Sequence, residues 1–164
     1  MLLIPYKILT IHSDITEDVL LERLNKNVEP YIGFRFDNYS KSLKPFVGKV
    51  SDKTFGIRPV FRGRNSFIPY IHGSIKKQET GNKIILIMRL HYAALFFVGT
   101  LFIIIPIYLS FKYNEMGGVV FALLTYFMTI FGFNYEYNKA KNTLQNILES
   151  TVDTKIKSRI QQPK

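Results

Sequence analysis

Hydrophobic residues in this chain keep a period near two or near 3.6 up to residue 89, and then stop alternating altogether. The opening run MLLIPYKILTI reads as a first strand. It lacks the basic flank and small-residue cleavage site of a secretory leader. Val19, Leu20, Leu24 and Val28 recur at helical spacing behind Thr16, a candidate N-cap with Asp14 as its rival. Glu17 and Asp18 stand where a helix dipole favours acids, and Pro30 ends the run, so a helix is predicted over 17–28.

Period two follows. Phe46, Gly48 and Val50 alternate with Val47 and Lys49; VSDKTF is a hairpin turn, and TFGIRPVF resumes the extended pattern. Pro59 points to an edge or a bulge. Phe67, Pro69, Ile71, Gly73 and Ile75 share one face, with Ile68, Tyr70, His72 and Ser74 on the other. Pro69 again suggests an edge or bulge, and Gly73 a bend. After the turn ETGN, Ile84, Leu86 and Met88 face one way and Ile85 and Ile87 the other, the mark of a central or covered strand.

Beyond Arg89 the pattern becomes continuous. Leu90 to Phe111 is 22 residues without Asp, Glu, Lys or Arg, and Met116 to Phe133 adds 18 more. At ~1.5 Å per residue these cover roughly 33 and 27 Å, against a hydrocarbon core of about 30 Å. The four-residue loop Lys112–Glu115 makes the pair an antiparallel hairpin. Pro106 predicts a kink, and Tyr92, Tyr108, Tyr113, Tyr135 and Tyr137 fall near the span ends, where an aromatic belt belongs. No GxxxG and no mid-depth ionisable residue occurs, which speaks against an ion or proton path through one hairpin. Ala140, Leu144, Ile147, Leu148 and Val152 then form the stripe of an amphipathic helix.

The predicted fold class is therefore an α+β membrane protein. It has an antiparallel β-sheet with an N-terminal helix and a C-terminal amphipathic helix, interrupted by a two-helix transmembrane hairpin. The divisions are a cytoplasmic α+β domain over 1–89, transmembrane helices over 90–111 and 116–135, an external loop over 112–115, and a cytoplasmic helix with basic tail over 136–164 that packs back on the sheet.

Charge sets the expected orientation. The 164 residues carry 22 Lys and Arg against 12 Asp and Glu, a net +10. Residues 1–89 hold 15 of the basic and 8 of the acidic residues, and residues 134–164 hold 6 and 3. By the positive-inside rule both termini are cytoplasmic, in a multi-pass protein of the cell membrane. There is no cysteine, so no thiolate chemistry is available.

Lys44 to Val50, Arg64-Asn65-Ser66-Phe67-Ile68-Pro69, Ile71, Gly73, Ile75 and Met88-Arg89-Leu90-His91 carry a resemblance. The chain resembles a group of small uncharacterised bacterial two-span membrane proteins with an RNSF(I/L)P segment. The resemblance implies a bacterial inner-membrane location and brings no activity with it. In element order alone the chain is also similar to the helix-grip (START-like) arrangement, in which a curved sheet wraps a C-terminal helix. A bacterial pleckstrin-homology-like sheet with a capping helix is the other candidate.

The segment FRGRNSFIPYIHGSI holds the chain's densest polar chemistry. Arg62, Arg64, Asn65 and His72 are the candidate residues for a ligand or an anionic lipid headgroup. Turn chemistry explains most of the same composition, since Asn and Ser bond their own backbone. His12, His72 and His91 lack any metal-ligand or catalytic spacing, and no nucleophile elbow or phosphate loop occurs. Neither a metal, a cofactor nor a catalytic residue is assigned. Lipid headgroups at about 1 kcal/mol per basic residue explain the charge more simply than nucleic acid. Three function classes stay open. They are a non-enzymatic binding or accessory module at the membrane surface, a START-like protein for a lipid or apolar ligand, and an enzyme with an unrecognised site. Expected partners are the bilayer, its anionic headgroups, and a protein partner or second copy of the chain.

Overall fold

The computed structural model describes residues 4–31, 43–60, 65–79 and 81–149. Strands β1 (Tyr6–Ser13), β2 (Val28–Pro30), β3 (Phe46–Val50), β4 (Thr54–Pro59), β5 (Tyr70–Gln78) and β6 (Gly81–Arg89) form one sheet in the order β1-β6-β5-β4-β3-β2. Helix α1 (Glu17–Asn27) follows β1. Helices α2 (Tyr92–Phe97) and α3 (Ile105–Tyr113), joined by a π-helical stretch over Val98–Ile104, form one continuous rod; α4 (Gly117–Glu149) returns alongside it.

The sheet is mixed rather than antiparallel, because β2 runs parallel to β3, with Val28 opposite Phe46. A parallel pair needs a connection of a dozen or more residues, and β2 ends at Pro30 while β3 begins at Phe46. The predicted helix also ends one residue early. Val28 is extended and 4% exposed, so its side chain joins the core from a strand rather than from the helix. Pro30, unable to donate to a ladder, ends a three-residue edge strand.

One sheet face is buried. Ile11, Ile84, Leu86, Met88, Ile71, Ile75, Phe55, Ile57 and Phe46 point inward and meet Leu20 and Leu24 of α1 and Ala140, Leu144 and Leu148 of α4. The four helix leucines are at most 1% exposed, each burial stabilising by about 1.5–3 kcal/mol. Arg23 of α1 donates to the Leu148 carbonyl at 3.1 Å, placing a cation at the end of α4. β5 and β6 are internal, as the two-sided apolar pattern of β6 requires. Pro69 lies just before β5 instead of marking an edge or bulge within it, and Gly73 stays in register inside the strand. It sits opposite Phe55, whose ring occupies the space of the missing side chain, with Cζ 2.0 Å from where a Cβ would stand.

Both apolar rods are long enough to span a membrane. Ahead of Pro106 the first adopts the π-helical stretch, which widens the turn at the residue that cannot donate a backbone bond. The rods meet through Gly118, where an added Cβ would lie 2.2 Å from the Pro106 carbonyl oxygen and 2.5 Å from Ser110 Oγ. Ala122, one turn on, is 2% exposed. Close approach thus comes from a small-xxx-small pair rather than GxxxG. Helix α4 continues without a break past residue 135, the predicted end of the second span, and its 33 residues reach about 50 Å. One helix is therefore both an arm of the hairpin and the cover of the sheet.

Candidate functional site

The four predicted site residues do not assemble into one site. Arg62 and Arg64 lie outside the described residues. Asn65 and His72 are on opposite sides of the sheet. His72 is exposed on the outer face of β5, opposite Gly56 and Ile87. Asn65 faces α4, and both ends of its amide are engaged. Its Oδ1 accepts from the Phe67 amide at 2.9 Å, closing the expected turn, and its Nδ2 donates to Glu136 Oε1 at 2.8 Å.

Sequence reasoning missed Glu136. It is 7% exposed, yet charged residues are rarely this buried without a partner. The signal was the stripe of α4 read backwards: Leu148, Leu144, Ala140, Glu136 and Gly132 are spaced by four and share one face. At Gly132 the helix has no side chain, and the Phe67 ring fills the space, with Cδ2 2.7 Å from a Cβ placed there. The Asn65–Phe67 turn thus clasps α4 by one polar and one aromatic contact, a helical turn apart.

Beside this clasp is a cleft of about 150 Å³ lined by Phe46, Pro59, Ile68, Glu136, Lys139 and Thr143. That is below the roughly 300–1,000 Å³ of small-molecule sites. The Thr143 hydroxyl is spent on the Lys139 carbonyl of its own helix, at 3.0 Å. No group of three or more metal-ligating side chains occurs among the described residues. The arrangement fits a structural joint better than a reaction centre.

A second cluster stands at the foot of the open face. Tyr6 and Tyr70 flank Arg89 in register across β1, β6 and β5. The Arg89 guanidinium lies 3.7 Å from the Tyr92 ring centroid and 5.7 Å from that of Tyr70. His91 begins the first rod, its Nδ1 accepting from the Ala93 amide at 3.2 Å. On the other side Lys7 stands over the Tyr137 ring at 6.0 Å. No protein-family model, no curated protein and no solved structure matches this chain.

Proposed function

We propose that the chain is an integral protein of the cell membrane, held by the α2/α3–α4 hairpin with both termini cytoplasmic. Its sheet works there as a non-enzymatic binding or accessory module. The observation that carries this reading is the contrast between the two halves. Phe96, Phe111, Met128 and Phe131 are 67–80% exposed along the rods, whereas the apolar face of the sheet is packed against α1 and α4. An apolar surface this extensive needs a cover, and a bilayer matches its length. The Tyr6, Tyr70, Arg89, Tyr92 and Tyr137 level then coincides with the headgroup zone.

Two connections hold the module upright. Only Leu90 and His91 separate β6 from α2, and α4 crosses from hairpin to sheet as one helix. The packed inner face and the small cleft favour a binding surface over an enclosed apolar-ligand site. That surface is the open face, where Thr10, His12, His72 and Lys76 are exposed.

The absence of native cysteine makes the test clean. Glu115→Cys and Lys76→Cys are labelled in intact cells with a membrane-impermeant maleimide. Labelling at 115 alone supports the orientation; labelling at 76 alone reverses it. Release of the protein by alkaline carbonate refutes insertion.

A further inference from the structure

We propose that the foot of the open sheet face seats the headgroup of an anionic phospholipid at Arg89, with Tyr70 and Tyr92 as its walls. This rests on the membrane reading above and names the partner of that level of the molecule. Arg89 is the last residue of β6, two residues ahead of His91–Tyr92, where the first rod begins. Alternation from buried Met88 puts its side chain on the open face, in one row with Tyr6 and Tyr70.

The chemistry of the row is uneven. Arg58 follows the Ile57–Ile71 pair and therefore stands on the other side of Tyr70. Val47 and then Glu29 continue the row on β3 and β2. A carboxylate thus lies towards the Arg58 end, and the positive end of the row is Arg89. Among the described residues no carboxylate is paired with Arg89; its contacts are the two tyrosine rings. The 3.7 Å distance to Tyr92 is that of a stacked guanidinium, and stacking uses the π-face and leaves in-plane N–H donors for a phosphate.

The occupant follows from position and charge. A second copy of the chain would present the same cation and be repelled. It also cannot extend the sheet through β1. Antiparallel pairing of two β1 strands puts the residues beside one Arg89 next to the far end of its partner, so the two hairpins would enter opposite membranes. A phospholipid headgroup, in contrast, is present at the level where the rod begins. Arginine suits it better than lysine, because only arginine both stacks and bonds bidentately.

The full-length protein is placed in nanodiscs of phosphatidylcholine and phosphatidylglycerol at 4:1, extracted in mild detergent, and its retained lipid measured by mass spectrometry. The wild type is expected to enrich phosphatidylglycerol, with Arg89 supplying a factor of about five, the ratio one basic residue at a membrane surface provides. Arg89→Gln should lower the enrichment about fivefold, and Arg89→Lys should keep less than half of it. Tyr92→Leu, which spares the charge, should lower it about twofold; Lys112→Gln, at the other end of the rod, should leave it unchanged. Full enrichment in Arg89→Gln or Arg89→Lys, or an equal loss in Lys112→Gln, overturns the site. If Arg89→Gln does not accumulate, Tyr92→Leu decides alone, and unchanged enrichment there overturns the site. Incorporation of the wild type without enrichment overturns the headgroup site only. Failure to enter the nanodisc overturns the membrane reading with it.

Discussion

The Asn65 side-chain amide donates to the Glu136 carboxylate at 2.8 Å across 71 residues of sequence, and it joins the sheet to the helix that leaves it. Glu136 is 7% exposed, so removing its donor strands a charge. Asn65→Ala is expected to cost about 1.5–3 kcal/mol, the range for a hydrogen bond to a charged group. A double-mutant cycle with Glu136→Ala should show a coupling of about 0.5–3 kcal/mol. Thermal unfolding in detergent measures both; additive losses would mean that the pair is not a joint.

One helical turn away, Gly132 receives the Phe67 ring. A methyl group there would meet the ring at 2.7 Å, too close for both to stay. Gly132→Ala should destabilise by about 1–3 kcal/mol, as overpacking does. Adding Phe67→Ala should recover part of that loss. A double variant less stable than either single one would refute the contact.

Gly73 makes a stricter prediction. The Phe55 ring is 1% exposed and stands where the Gly73 side chain would be. Gly73→Val therefore displaces a core aromatic, and about 3 kcal/mol or more is expected from combined overpacking and core loss. Ser74→Ala, on the open face of the same strand, should stay within about 0.5 kcal/mol. Expression level and unfolding temperature of the two variants distinguish them.

Within the hairpin, Gly118 touches the Pro106 carbonyl, and Ser110 Oγ accepts from the Val119 amide at 3.1 Å. Gly118→Leu should push the rods apart and lower the rate of disulfide formation between cysteines introduced at Leu109 and Phe121 at least severalfold. Ser110→Ala, which removes one acceptor, should have the smaller effect, about 0.5–1.5 kcal/mol in unfolding. Equal crosslinking in Gly118→Leu and the parent would show that the seam lies elsewhere.

Much of this fold is legible in the sequence. The strand faces of Ile71–Ile75 and Ile84–Met88, the turns at Asp52 and Gly81, and the stripe through Ala140, Leu144 and Leu148 all follow from local period and turn chemistry. The candidate site was legible only in part. Asn65 reads as turn chemistry, but its second bond reaches Glu136, 71 residues away, and residue types alone carry no sign of that pairing. His72 is near Asn65 in sequence, but strand alternation and the docked helix put them on opposite sides.

Sequence by itself determined the elements and their exposed and buried sides, because local period decides which face is apolar. It also determined that two segments are long and apolar enough to span a bilayer. Tertiary structure decided what each side meets. The parallel β2–β3 pair, the ring of Phe55 over Gly73, and the continuity of α4 from hairpin to sheet depend on contacts between distant residues. So does Glu136, a carboxylate inside an otherwise apolar stripe, which the Asn65 amide 71 residues away reaches from the sheet.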